Sequence, residues 1–463
     1  MSSSLRKMVC FVRSYLTAKC GHNRSRAGLL LRQEKLFRRL KNNVLTNSPF
    51  YRDYLSKDLE AFPLIDKSVF VANFNTINTQ KLNDDKCFNV ALEAEKNRDF
   101  SSKHRGYSVG LSSGTSGKRG MFVTSDDEQA RWAGYIIGKM LPLRFKKQKI
   151  AFLLRSNNNL YESSQGKLIN FKFFDLLKPL EAIISELDAF LPDILIAPAQ
   201  ILTVIANSDV RIKPQKIISV AEVLEKQDQQ RIEQRFSVAV DQIYQCTEGF
   251  LASTCASGSL HMNEDVLIVE KDWVDKKTGR FSPIITDLQR VTQPVVRYRL
   301  DDILIENKTP CACGSSCLRI ESIEGRHDDI VWYPSNTGDK LVAIFPDLLR
   351  RSMLLVQQHY LDYRIIQRSF DLNICLKRNA SESKESVIRD AESAVEKELL
   401  TLFKTLEVIT PNIVFDRWQG ENFMEKLRRI RCEKKPELIA LHQTSGKLSV
   451  AVNQPSANNQ CEN

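Results

Sequence analysis

The chain has 463 residues, 42% of them hydrophobic, and a formal net charge of +11. No apolar run approaches the roughly 18 residues that span a bilayer, which excludes a membrane-crossing protein, and the positive charge, which suits an anionic ligand such as a nucleotide, is spread along the chain and does not by itself demonstrate nucleic-acid binding. The length implies two or three folded units. Eleven cysteines without a clear secretory signal read as reduced thiols, so a cytoplasmic location is expected and no disulfide framework.

The first acidic residue is Glu34, whereas Arg6, Lys7, Arg13, Lys19, Arg24, Arg26 and Arg32 precede it. The composition is that of a transit peptide or of a basic helix packed on the body; Phe11, Leu16, Leu29, Leu30 and Leu31 favour the second as core anchors. A helix is expected from Gln33 to about Leu55, ending near Asn47-Ser48-Pro49. Met121–Thr124 reads as a strand and Asp126–Leu141 as a helix. Ile150–Leu154, Asp193–Ala197 and Lys216–Val220 read as buried strands alternating with helices such as Leu176–Leu191. From Val240 to Val331, short strands such as Val266–Glu270 and Ile303–Glu306 are separated by Gly, Pro and Asp turns. Beyond Asp329, strands at Tyr363–Gln367, Leu372–Lys377 and Asn412–Phe415 surround a long amphipathic helix, Ser383–Leu402. The expected fold is α/β: a large multi-layered N-terminal domain, 1–328, with mixed sheets and a β-rich subdomain, then a small mobile α+β domain, 329–442, and a disordered polar tail, 443–463.

Leu111 precedes Ser112, Ser113, Gly114, Thr115, Ser116, Gly117 and Lys118. Glycines that free backbone N–H groups, hydroxyl side chains that add further donors and a lysine suit a triphosphate cradle, and equally an ordinary flexible turn. It is not a Walker A loop, because Arg119 follows Lys118. Its place ahead of a strand and a helix resembles the phosphate-binding loop of the adenylate-forming superfamily, which includes acyl-CoA synthetases, in particular the phenylacetate-CoA ligase branch. Tyr244-Gln245-Cys246-Thr247-Glu248 is similar to the superfamily's Tyr-x-x-Thr-Glu motif. That likeness implies a threonine on phosphate and a glutamate on Mg²⁺, an assignment that hard carboxylate oxygen suits. Pro294–Asp302 resembles the segment whose terminal aspartate, here Asp302, binds ribose, and Gly325-Arg326-His327-Asp328-Asp329 resembles the hinge, with Arg326 on the nucleotide. Ser219, Ala221 and Glu222 stand where the superfamily places its adenine turn. Lys426 matches its catalytic lysine, although Glu425 replaces the usual glycine. Ser48–Tyr51 and Pro63–Lys67 resemble the N-terminal part of the phenylacetate branch, and Leu154–Tyr161 a bacterial subgroup related to coenzyme-adenylating synthetases.

The resemblance implies an AMP-forming acid–thiol ligase: ATP and Mg²⁺ convert a small carboxylic acid to acyl-AMP, and a thiol, coenzyme A ahead of a carrier protein, intercepts it. Asn157, Asn158, Phe173, Phe174 and Tyr244 are candidate pocket residues for an aromatic acid, with core packing the competing reading for the Phe pair. A nucleotide-binding homologue with another acceptor or without turnover is the alternative, motivated by Glu425. Cys255, His261, Cys311 and Cys313 form a candidate structural zinc site, with Cys317 as substitute for His261; reduced cysteines and a hydrogen-bonded histidine are the other reading. No nucleic-acid or membrane partner is expected, and a homodimer is left open.

Overall fold

The computed structural model describes residues 3–20, 25–97, 99, 101–111, 119–141, 147–154, 169–378, 385–420 and 426–436. Contacts divide the chain into a larger unit, Met1–His327 with Gln419–Arg428, and a smaller one, Asp328–Trp418 with Arg429–Asn463.

The larger unit begins with α1 (Ser3–Cys20) and α2 (Arg26–Asn43). The Ser25 hydroxyl caps α2 by accepting from the Gly28 amide at 3.3 Å. The helix ends well before Leu55, because the chain tightens into 3₁₀ turns at Leu45–Asn47 and Pro49–Tyr54, where Pro49 removes a backbone donor. Next come α3 (Lys67–Ala72), α4 (Phe74–Ile77) and α5 (Asp84–Asn97), then an antiparallel sheet of β1 (Lys103–His104), β2 (Tyr107–Leu111) and β3 (Met121–Thr124). Helix α6 (Asp126–Met140) opens on a capping box between Ser125 and Glu128. It presents Gly134 and Gly138 to α1: a Cβ on Gly134 would lie 2.2 Å from the Phe11 carbonyl oxygen, and one on Gly138 2.6 Å from Ala18 Cβ. Phe11 therefore sits against α6, but of the other expected anchors only Leu29 is core. Leu16, Leu30 and Leu31 are 52%, 49% and 68% exposed, since periodicity marks an apolar face without saying what covers it.

The central sheet has twelve strands among the described residues. One half is parallel: β4 (Gln148–Leu154), β5 (Ile169–Asp175), β6 (Ile194–Ala197), β7 (Lys216–Ser219) and β8 (Val240–Cys246), in the order β5-β4-β6-β7-β8, crossed over by α7 (Leu180–Phe190), α8 (Ala199–Ala206) and α9 (Lys226–Phe236). Successive side chains enter two cores, Ile150 and Phe152 one and Ala151 and Leu153 the other, which is why these strands read as unbroken apolar runs. The other half is antiparallel: β9 (Gly249–Thr254), β10 (Leu260–Met262), β11 (Leu267–Asp275), β12 (Arg280–Asp287), β13 (Tyr298–Arg299), β14 (Asp302–Glu306) and β15 (Arg319–Arg326).

Glu264 and Asp265, 1% and 0% exposed, form a buried knot. Arg26 pairs with Glu264 at 2.7 Å, Gln33 donates to the Glu264 and Leu267 carbonyls, Tyr135 Oη donates to Asp265 at 2.5 Å, and the Leu318 amide donates to Glu264 at 2.6 Å. Burying two carboxylates is tolerable only with this many donors.

The smaller unit holds the hairpin β16 (Val331–Pro334) and β17 (Leu341–Ile344), helix α10 (Pro346–Leu355), and a mixed sheet of β18 (Asp362–Arg368), β19 (Asp371–Lys377), β20 (Asn412–Asp416) and β21 (Ile430–Lys434) in the order β20-β19-β18-β21. Helix α11 (Glu385–Thr405) buries Ala391, Val395, Leu399 and Phe403, one every four residues. The architecture is the expected α/β one, a large mixed sheet with a small α+β unit.

Candidate functional site

The parallel strands end together, and ligand crevices in such sheets form outside their carboxyl ends where connectivity changes. In the order β5-β4-β6-β7-β8 that change falls between β4 and β6, while β8, parallel to β7 and antiparallel to β9, is where the sheet passes from parallel to antiparallel. Thr247 and Glu248 are the two turn residues joining β8 to β9, a turn too short to let the carboxylate wander. A register shift at Tyr244–Gln245 bends the strand just before it. The Thr247 carbonyl accepts from Arg290 Nη1 at 2.9 Å, and the Arg290 and Gln289 amides donate to Asp287 Oδ1. The same connection reaches β3: Gln293 accepts from the Val123 amide at 3.0 Å, and Glu128 accepts from the Val291 and Thr292 amides at 2.6 and 2.9 Å. One short stretch thus ties the Thr-Glu turn to the strand that follows residues 112–118. Those residues, with Asn157, Asn158, Glu425 and the 443–463 tail, lie outside the described residues.

Asp302 and Arg326 begin β14 and end β15 and are cross-strand partners. Tyr244 Oη donates to Asp302 Oδ2 at 2.6 Å, and Arg326 Nε stands 3.6 Å from Asp302 Oδ1. Desolvation raises the Asp302 carboxyl above the usual range, against the pull of Tyr244, Arg326 and Lys426. Burial and the neighbouring Asp302 push the Tyr244 phenol well up, so it stays a donor. Tyr298 and Cys246 lie near Glu248, and both are driven up chiefly by burial and then by its charge.

Lys426 lies in the Gln419–Arg428 segment that groups with the larger unit. Desolvation and the nearby Arg326 lower its pKa, opposed by Asp302, Glu222 and Cys246. Glu222 also fixes the neighbouring backbone: its Oε1 accepts from the Leu427 amide at 3.2 Å and its Oε2 from the Gln200 amide at 3.1 Å. Ala221, just before it, holds a left-handed φ of 66° at the end of β7. Ser219 is buried at the strand end, and its Oγ meets no partner among the described residues. Of the pocket candidates, Phe173 packs on the core face shared with Tyr244, whereas Phe174 belongs to the opposite core, its ring 5.9 Å from that of Phe190.

Lys67, Tyr298, Cys246 and Arg290 were not singled out by the sequence. Lys67, at the start of α3, has its pKa lowered by desolvation and then by the charge of Arg326, against the opposing charges of Glu248 and Asp301. It is brought among these charges by pairing between segments over 230 residues apart: the Ile65 amide donates to the Arg297 carbonyl at 3.0 Å, and the Arg299 amide to the Ile65 carbonyl at 2.8 Å. No local pattern encodes such a meeting.

The cysteine cluster forms a second centre. The ligand atoms of Cys255, His261, Cys311 and Cys313 all lie within 4.8 Å of one another. A tetrahedral zinc with sulfur at about 2.3 Å and nitrogen at about 2.0 Å places sulfur pairs about 3.8 Å apart and sulfur–nitrogen pairs about 3.5 Å apart. Cys255 Sγ and Cys311 Sγ are separated by 3.7 Å, and Cys313 Sγ and His261 Nε2 by 3.6 Å. His261 Nδ1 lies 3.1 Å from the Cys317 carbonyl oxygen, a contact that fixes the proton on Nδ1 and turns Nε2 inward. Cys317 contributes its backbone, not its thiol, and is no substitute ligand. The donor set fits zinc.

No protein-family profile matches the chain, and no curated protein matches it. By structure it is similar to 2-hydroxyisobutyryl-CoA ligase in the postadenylation state in complex with R3-HIB-AMP, at 15% identity and a TM-score of 0.62 over 88% of this chain and 89% of that one. The same ligase in complex with 2-HIB-AMP gives 15% and 0.62 over 87% and 88%, and an open conformation with 2-HIB-AMP and CoA gives 14% and 0.51 over 87% and 90%. At such identities the likeness is one of fold.

Proposed function

From a chain with the fold of the adenylate-forming acyl-CoA ligases, we propose an enzyme that activates a carboxylic acid as acyl-AMP and passes the acyl group to a thiol. One observation carries the reading: Glu222, Glu248, Asp302, Arg326 and Lys426, from separate stretches of sequence, form one electrostatic cluster at the carboxyl ends of the parallel strands. In this reading Asp302, held by Tyr244, accepts hydrogen bonds from ribose hydroxyls, and the turn before Glu222 borders the adenine. Residues 112–118 would cradle the phosphates, and Glu248 would hold a Mg²⁺ that neutralises them. A substrate carboxylate oxygen attacks the α-phosphorus, the bond to the bridging oxygen breaks, and pyrophosphate leaves. Lys426 and Arg326 offset the charge that accumulates during the displacement, an electrostatic rather than covalent contribution. The thiol then attacks the acyl carbon and AMP departs. The division between units at His327 and Asp328 supports a pivot at Asp328–Asp329 between the two half-reactions.

Coenzyme A is the first choice of acceptor and an aromatic acid the first choice of substrate, within the phenylacetate-CoA ligase branch. Cys255, His261, Cys311 and Cys313 hold a structural zinc in this reading, closed to chemistry because all four positions come from protein. The test is ATP–pyrophosphate exchange across a panel of carboxylic acids, repeated with Lys426→Ala. Acid-dependent exchange abolished by the variant, with the fold intact, supports the proposal; exchange unaffected by it, or absent with every acid, refutes it.

A further inference from the structure

Helix α1 has two apolar faces, and only one is buried. Phe11, Tyr15 and Ala18 meet the glycines of α6. Further round the helix Leu5, Met8, Val9, Val12 and Leu16 are 44%, 58%, 48%, 46% and 52% exposed. At 100° per residue these five fall within an arc of about 100°, centred about 110° round the helix from the packed face. Met8, Val9, Val12 and Leu16 line a groove of about 630 Å³ whose rim carries Arg13 and, from α2, Arg32. Arg6 and Lys7 turn away to pair with Asp127 and Asp126 on α6.

We propose that this face is a docking surface for an anionic lipid bilayer. Three observations favour lipid. An apolar stripe on a helix lying along the protein body, edged by arginine, is the pattern of an interfacial helix. The first 33 residues contain no carboxylate, so the rim complements phosphate headgroups and nothing in the segment opposes them. A second copy docking through the same face in a two-fold pair would set Arg13 and Arg32 near their own counterparts without an acidic residue from these helices to compensate. The stripe is Leu, Met and Val, without the Trp and Tyr that anchor protein interfaces. Among the described residues no helix is long and apolar enough to cross a membrane, so the contact is peripheral; it revises the expectation that no membrane is involved.

The test is co-sedimentation of the full chain with phosphatidylcholine vesicles with and without phosphatidylglycerol, at low and high salt, alongside light scattering for oligomeric state. Binding confined to the anionic vesicles, weakened by salt, lost in Val9→Glu/Val12→Glu and lowered about fivefold by Arg13→Ala supports the proposal. The thermal midpoint checks that the double variant folds; should it not, the Arg13→Ala arm decides alone. Absence of vesicle binding overturns the proposal, as does binding that ignores both charge and these substitutions. A dimer dispersed by Val9→Glu/Val12→Glu, with no vesicle binding, assigns the face to a second copy and overturns it equally.

Discussion

Glu222 gives the sharpest means of testing the site. It is the acceptor for the Leu427 and Gln200 amides, and it raises the pKa of Lys426 against the desolvation that lowers it. Glu222→Ala therefore does two separable things. It frees the backbone next to Lys426, at a cost of about 1.5–3 kcal/mol for one hydrogen bond to a charged group. Leu427 is half-buried, so water replaces part of the loss and the lower end applies, equivalent to about a tenfold fall in adenylation rate. It also removes a negative charge from beside a lysine, which disfavours the ammonium form. The alkaline limb of the pH–rate profile, where Lys426 loses its proton, then moves to lower pH. Glu222→Gln restores an amide acceptor without charge and recovers much of the rate while leaving the limb displaced. The assay is ATP–pyrophosphate exchange across pH, with hydrogen exchange at Leu427 as an independent reading of the tether. A Glu222→Ala enzyme with wild-type rate, wild-type limb and undisturbed Leu427 protection refutes the reasoning.

Purified protein should carry one zinc per chain by elemental analysis, lost in His261→Ala and Cys311→Ser and retained in Cys317→Ser, with chelation lowering the melting temperature; equal zinc in all three variants rejects the ligand set. Glu128 accepts from the Ser125, Val291 and Thr292 backbones, bonds that outweigh burial and hold its carboxyl below the usual value. Its contribution is therefore complete above the unfolded value of about 4.3 and is lost as pH falls through the lower folded one. Glu128→Ala should cost about 3 kcal/mol at neutral pH in denaturant unfolding and progressively less in acid, and a pH-independent difference would contradict this. Gly134→Ala should lower stability by about 1–3 kcal/mol despite alanine's better helix propensity, because its Cβ would meet the Phe11 carbonyl at 2.2 Å; a stabilised variant would show that α1 is not seated on α6.

Strands β4, β6 and β7 were legible because sheets covered on both faces demand unbroken apolar runs, and β4 extends only two residues before the expected Ile150. The β8–β9 turn was legible through its motif. Illegible were the meetings that chain closure makes: Lys67 beside Glu248 depends on a bridge between Ile65 and Tyr298, and no spacing announces it. The exposed Leu16, Leu30 and Leu31 were misread as anchors because a helix apolar on both sides has one periodicity whichever side is packed. Cys255, His261, Cys311 and Cys313 were visible as donor types, but only the strand pairing of β10 with β9 and β15 draws the histidine toward the thiols.

The knot at Glu264–Asp265 bears on how the protein is born. Gln33 waits for Leu267, 234 residues later. At ribosomal speeds of about 5–20 residues per second α2 emerges roughly 12–47 s before this anchor exists. For that interval the side of α2 that ends against Glu264 and Leu267 is open to whatever the nascent chain encounters, so synthesis without holdase chaperones should cost yield through this helix first.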